Sequence, residues 1–171
     1  MVCDETYCLN CIDWVWPVVA YCGSGVDIFQ YLITHPVAVP LPDQIAGLQI
    51  TDYTTGAQTA AQFENLHNKR IPLTSGAIGI YGDSEITLWV AGAPLNFMAA
   101  RMVNAMEEKI AKENSPFTPL EQFTEGARTI YVLEGMGQMH YYFQSKNMII
   151  WLAADPAVAD IAIQQILEVY P

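Results

Sequence analysis

The sequence predicts an α+β domain in which an antiparallel sheet has its helices packed on one face. Short apolar and aromatic segments follow one another through tight polar turns, which is typical of antiparallel strands. Amphipathic segments with helical periodicity follow two of these strand pairs, and each has one apolar stripe to bury. The chain has 171 residues, of which 52% are hydrophobic. That length fits one domain, or one domain with a substantial extension.

The N-terminal part of the chain differs from the rest. Residues 1–44 are rich in Cys, Trp, Pro and Val and show no sustained period. Within them, the stretch from His35 to Asp43 contains three prolines, which indicates an extended connector. We therefore predict two parts, a Cys-rich, irregular N-terminal extension over residues 1–44 and a regular α+β domain over residues 45–171.

The regular part contains an internal repeat. Residues 81–94 align without gaps on residues 143–156, so that Trp89 matches Trp151 and Pro94 matches Pro156. Each copy indicates a strand, a polar turn, a second strand and a helix that begins at the proline. This pattern predicts an internal duplication, with strand–strand–helix units near 76–113 and 138–170.

The remaining elements follow from local patterns. A helix is expected from Thr55 to about His67, and strands are expected at Arg128–Glu134 and Gln138–Phe143. Residues 113–124 contain two prolines, and we interpret them as a link between the two halves.

The charge balance restricts the possible partners. The net charge is −11, and no Lys or Arg precedes Lys69. A body this acidic repels phosphate backbones, so we expect no nucleic-acid binding. Only 15% of the residues are charged, against about 25% in typical proteins. The low charge favours a surface partly covered by a protein partner or by another subunit in a homo-oligomer.

The uncharged stretches are too short, and too often interrupted by proline, to cross a bilayer. Acidic residues stand at positions 4, 5 and 13, where a signal peptide would be basic and then apolar. The sequence therefore predicts a cytoplasmic protein with no membrane span and with reduced thiols, or an exported one if a leader was removed before Met1.

The four cysteines are the first candidate site. Cys3, Cys8, Cys11 and Cys22 all fall within the first 22 positions. The spacing of the first three is similar to that in plant-type [2Fe–2S] ferredoxins, over nine residues only. Four thiolates can hold a tetrahedral zinc ion or an iron–sulfur cluster, which would organise the extension. Two disulfides, or four unlinked thiols packed as small apolar groups, are the alternatives.

A second candidate site lies in the regular part. A Gly-Met-Gly-Gln turn precedes a strand on which His140 and Tyr142 share one face, while Met139, Tyr141 and Phe143 share the other. Together with Gln138 and with His67 at the end of the predicted helix, His140 and Tyr142 could form a ligand-binding or catalytic site. The alternative is a structural hairpin whose aromatic residues pack under a helix.

These observations lead to three functional hypotheses. The first is a non-catalytic binding or accessory subunit whose cysteine cluster binds zinc or an iron–sulfur cluster and which docks on a protein partner. The second is a small-ligand or enzymatic site built from His67, Gln138, His140 and Tyr142. The third is an exported, sensor-like domain with two disulfides.

Overall fold

A computed structural model of the chain describes residues 28–67, 71–112 and 115–171. In this part of the chain the fold is α+β, as the sequence predicts. The helices are α1 (Ile28–Thr34), α2 (Ala57–His67), α3 (Asn96–Ala111) and α4 (Ala159–Val169). The strands are β1 (Val37–Ala38), β2 (Gln44–Ile45), β3 (Leu48–Thr55), β4 (Ser75–Tyr81), β5 (Ile86–Gly92), β6 (Phe117–Glu125), β7 (Arg128–Gly135), β8 (Gln138–Ser145) and β9 (Met148–Ala154).

All described strands belong to one sheet. Its order is β2-β3-β4-β5-β9-β8-β7-β6, with every pair along this path antiparallel. The short β1 adds to β4 in parallel. The β4–β5 hairpin meets the β8–β9 hairpin at the middle of the sheet, where Trp89 lies directly opposite Trp151. The two tryptophans therefore lie on the central strands of the sheet.

The prediction that the helices pack on one face is wrong. Along β9, Ile150 and Leu152 pack with α4, whereas the intervening Trp151 packs with α3. Because successive strand residues point to opposite faces, α3 and α4 lie on opposite faces of the sheet. We call these the α3 face and the α4 face. The sequence carries the reason: β9 reads Met-Ile-Ile-Trp-Leu-Ala-Ala, a continuous apolar run typical of a strand buried on both faces.

The two aligned sequence segments both contain a central strand, β5 in the first and β9 in the second. Their structures differ before and after these strands. The turn of the β4–β5 hairpin has four residues, 82–85, and that of the β8–β9 hairpin has two, 146–147. Tyr81 therefore corresponds at the turn to Ser145, not to Phe143 as in the sequence alignment. The helices that follow lie on different faces as well. The duplication itself stays a prediction, as does the domain division at residue 44.

The interpretation of residues 113–124 as a link is wrong, because most of this stretch belongs to β6, the outermost strand of the sheet. β6 contains Pro119, which lacks a backbone donor. Proline is tolerated in an edge strand, where one side of the backbone has no neighbour. A bulge at Leu120 accompanies it, since the pairing with β7 shifts by one residue between Pro119 and Glu121.

The proline-rich connector before β2 packs on the α4 face. Its Val39 side chain is buried in the main core. The Tyr81 hydroxyl donates to the carbonyl oxygen of Pro42 at 2.9 Å, and the Tyr170 hydroxyl donates to that of Pro40 at 3.3 Å. Burial raises the pKa of Tyr170 to about 12. Both tyrosines therefore act as neutral hydroxyl donors that fasten the connector to the domain.

Candidate functional site

The four cysteines predicted as metal ligands lie outside the described residues, so the structure does not test the zinc or iron–sulfur prediction. Within residues 28–67, 71–112 and 115–171, no group of three His, Cys, Asp or Glu side chains is placed to hold a metal ion.

His140 of β8 has both ring nitrogens in hydrogen bonds. Its Nε2 lies 3.0 Å from the carbonyl oxygen of Gly135, which can only accept, so Nε2 carries the hydrogen. Its Nδ1 lies 3.1 Å from Nε1 of Trp151, and an indole nitrogen can only donate. These two partners fix the neutral Nε2–H tautomer. Burial lowers the pKa of His140 and favours the same neutral form.

The side chains around His140 form an aromatic core on the α3 face. Tyr142 stacks on Trp151 with ring centres 5.2 Å apart and on Tyr131 with centres 4.6 Å apart. Phe117 meets the imidazole of His140 edge-on at 4.7 Å. Burial also raises the pKa of Tyr142. Helix α3 covers the cluster with three flexible methionines and one isoleucine: Met98, Met102, Met106 and Ile110.

This arrangement confirms that His140 and Tyr142 share one face of β8, since Tyr141 and Phe143 pack in the other core. It also favours structural roles for His140 and Tyr142, because both are buried and their neighbours are apolar or aromatic. Both ring nitrogens of His140 are engaged by partners within the domain, the Gly135 carbonyl oxygen and the Trp151 indole.

The other two residues of this candidate site lie elsewhere. The Gln138 amide nitrogen contacts the carbonyl oxygen of Glu85 at 3.2 Å and the Asp155 carboxylate at 3.0 Å, and so links the ends of three strands. His67 ends α2, which packs on β3 and β4, whereas His140 lies on β8, three strand positions from β4. The structure therefore does not show the four residues around one cavity, and the ligand-binding role predicted for them stays a prediction.

A surface cavity of about 620 Å³ lies between α3, the β6–β7 turn and the β8–β9 turn. Arg128 lines it, and its guanidinium donates to the carbonyl oxygens of Leu167 and Tyr170 at the end of α4. A cleft of about 190 Å³ lies beside Trp89 under α2. None of the residues His67, Gln138, His140 and Tyr142 lines either space.

The outer edge of β6 is the surface that combines exposure with binding chemistry. Every residue from Thr118 to Glu125 is exposed. Two of them are large and apolar, Leu120 with 50% and Phe123 with 37% of its surface exposed. Main-chain groups on the open side of an edge strand have no partner from the sheet and can pair with another chain. β6 thus offers both main-chain and apolar contacts to another protein.

The register of the β6–β7 hairpin identifies the outward groups. Glu125 pairs with Arg128 across a two-residue turn, where Gly126 has a φ of 61°. The residues that flank such a turn exchange hydrogen bonds within the hairpin. Counting back by alternation, Phe123 and Glu121 also face β7. Gln122 and Thr124 therefore point their N–H and C=O groups to the open side.

The same stretch carries negative charge. Glu121 and Glu125 lie on β6, and no Lys or Arg occurs between Lys112 and Arg128. The pKa of Tyr141 is raised by its burial first and then by the charges of Asp160 and Glu121. The carboxylates of Asp160 on α4 and Glu121 on β6 therefore both add negative charge near Tyr141. Sequence reasoning missed β6 because of Pro116 and Pro119, although the Gly126 turn between a Thr- and Phe-containing run and a Thr-, Ile- and Tyr-containing run is a hairpin signal.

No family model matches the sequence, and no curated protein or solved structure shows significant similarity to it. Among the helices of the described residues, none combines the length and the apolar character that crossing a bilayer requires.

Proposed function

We propose that the protein is a non-catalytic, protein-binding accessory subunit whose β6 strand pairs with an extended segment of its partner. The observation that carries this proposal is the stretch Glu121–Glu125, an open sheet edge with an exposed Phe123. Strand addition of this kind takes its affinity from main-chain hydrogen bonds and its specificity from alternate side chains.

Proteins commonly protect sheet edges against unwanted pairing. Proline, bulges and charged residues serve this purpose. In β6, Pro119 and the bulge at Leu120 interrupt the first half of the strand. The second half has neither, and its register with β7 is regular from Glu121 to Glu125. The second half is therefore protected only by the charges of Glu121 and Glu125, and the outward main-chain groups of Gln122 and Thr124 remain able to pair.

Site-specific photocrosslinking tests this proposal. Phe123 is replaced by p-benzoylphenylalanine in the full chain, and the protein is irradiated in a lysate of its source cells. The matched control carries the same group at Tyr53, which is 63% exposed on β3 near the other edge of the sheet. We expect discrete protein adducts from position 123 and not from position 53.

A second variant makes the test specific for strand pairing. Thr124→Pro removes an outward N–H group, while the hydrogen bonds of β6 to β7 remain, because Thr124 does not face β7. We expect this change to abolish the adduct at position 123 and to leave the circular dichroism spectrum unchanged. Adducts that persist in Thr124→Pro, or that form equally at both edges, would contradict strand pairing at β6.

The cysteine part of the proposal rests on spacing. Cys3, Cys8, Cys11 and Cys22 would bind one structural zinc ion or an iron–sulfur cluster in the N-terminal extension. A structural site should be close to fully occupied, so we expect about one metal site per chain by elemental analysis of the purified full-length protein. Iron would add visible absorption. A mass lower by about 4 Da than that of the reduced chain would instead indicate two disulfides and the exported alternative.

A further inference from the structure

The register of β6 with β7 shows which β6 side chains lie on the α4 face of the sheet. These side chains would lie beside those of a new strand added to β6. Glu121 lies opposite Val132, Phe123 opposite Ile130, and Glu125 opposite Arg128. Val132 and Ile130 belong to the core beneath α4. Residues opposite each other in an antiparallel pair share a face, so Glu121, Phe123 and Glu125 form an acidic–apolar–acidic row on the α4 face.

The charges of this row are only partly compensated. Within the described residues, the one ion pair of the row joins Glu125 to Arg128 at 3.6 Å, and the Glu125 side chain is still 52% exposed. The Arg128 guanidinium is also committed to the carbonyl oxygens at the end of α4. Glu121 has no ion pair in the part of the chain that the structure describes, and Asp160 acts on the same region.

We propose that the partner segment that pairs with β6 is a basic strand, with Lys or Arg at positions i and i+4 and an apolar residue at i+2. This inference rests on the proposed function and names the chemistry of the partner. The two basic residues would face Glu121 and Glu125, and the apolar residue would face Phe123. Opposite charges across a strand pair stabilise the pair, and like charges destabilise it. The pattern reads the same in both directions, so it suits a parallel or an antiparallel partner.

A second copy of this chain fits the edge less well. Its β6 contains two glutamates and no basic residue to place opposite Glu121. Each chain has a net charge of −11, so two copies also repel each other over longer distances. Charge complementarity therefore favours a basic segment of a different protein.

Two synthetic peptides test the inference directly with the full-length protein. The first has the sequence Thr-Thr-Lys-Thr-Val-Thr-Lys-Thr-Thr, and the second has Glu in place of both Lys. Their binding is measured by NMR titration at low salt. We expect the Lys peptide to bind about ten-fold more tightly, since two favourable pairs replace two unfavourable ones. The difference should shrink at high salt because exposed charges are then screened.

Two variants identify the site. Glu121→Lys changes an exposed side chain and should reverse part of the preference, so that the Glu peptide gains affinity and the Lys peptide loses it. Thr124→Pro should remove the binding of both peptides, because it deletes a main-chain donor that both would use. The NMR spectrum of each variant shows whether it is folded, and the two variants are independent of each other.

Three results would overturn the inference: equal binding of the two peptides, no binding of either, or an unchanged preference in Glu121→Lys. If the crosslink at position 123 still forms and still depends on Thr124, only the basic character of the partner is refuted and strand pairing stands. A dimer in light scattering that Thr124→Pro converts to a monomer would make a second copy the occupant, and would also overturn the inference.

Discussion

Arg128 is the residue whose replacement gives the sharpest test of the packing described above. Its guanidinium donates to the carbonyl oxygens of Leu167 and Tyr170 at 2.9 and 2.6 Å, and only 16% of its side chain is exposed. Leu167 lies in the last turn of α4, whose carbonyl groups lack helical partners, and Tyr170 is the C-cap residue that follows it. The guanidinium also lies 5.7 Å from the centre of the Phe143 ring. Arg128 thus joins the start of β7 to the end of α4.

The magnitude follows from these contacts. A hydrogen bond to a charged group contributes about 1.5–3 kcal/mol, although carbonyl oxygens at a helix end recover part of this from water. The contact with the ring adds about 0.5–1 kcal/mol, and the pair with Glu125 adds less than about 1 kcal/mol because Glu125 is exposed. Arg128→Met keeps the length of the side chain and removes its charge. We expect it to lower the free energy of unfolding by about 2–4 kcal/mol.

Urea denaturation followed by circular dichroism measures this change. With a slope of about 2 kcal/mol per molar urea, the midpoint should fall by roughly 1–2 M. Lys112→Met is the matched control, since Lys112 also pairs with a glutamate, Glu108 at 3.3 Å, but its side chain is 75% exposed. The control should cost less than about 0.5 kcal/mol. A loss below about 1 kcal/mol in Arg128→Met would show that Arg128 does not hold the end of α4 in the way described.

Three further changes test the interior. Because burial lowers the pKa of His140, the unfolded chain takes up a proton near pH 6.5 before the folded chain does. The free energy of unfolding should therefore fall as the pH drops below about 6.5. His140→Gln should make this fall smaller when urea denaturation is measured at pH 7.5 and at pH 5.0. An equal fall in the wild type and the variant would contradict a buried neutral imidazole. Gly76→Ala would place a Cβ atom 3.0 Å from Cγ2 of Thr59 and should cost about 1–2 kcal/mol. Thr59→Ser should lower the free energy of unfolding less in Gly76→Ala than in the wild type. If the effects of the two substitutions simply add, the close contact between these residues is refuted. Tyr81→Phe leaves the carbonyl oxygen of Pro42 without its donor and should lower stability by about 1 kcal/mol in thermal melts, whereas an unchanged melting temperature would mean that this bond does not hold the connector.

Local patterns were sufficient to predict elements whose residues alternate or recur regularly. The expected strands at Arg128–Glu134 and Gln138–Phe143 are confirmed as the bulk of β7 and β8, and the expected helix ending at His67 is confirmed as α2. β6 was missed because Pro119 resembles a linker signal in a sequence, while its acceptability depends on a missing neighbour in the sheet. That neighbour relation is a property of the whole sheet order and not of the local residues.

The candidate site shows the same division. The sequence placed His140 and Tyr142 on one strand face, and the structure confirms it. It could not show that Trp151 donates to Nδ1 of His140, because that contact joins β8 to β9 through their register. The exposed row on β6 could not be identified from the sequence either, since exposure depends on which strand ends the sheet.

The sequence by itself determined the α+β class, the hairpins at the centre of the sheet and the acidic character of the surface. These properties follow from periodicity, turn residues and charge, which are local or additive. The tertiary structure alone decided that α3 and α4 lie on opposite faces, that His140 is a neutral core residue, and that β6 is an open edge. Each of these depends on contacts between residues distant in the chain, because burial and pairing are set by the order in which the strands assemble.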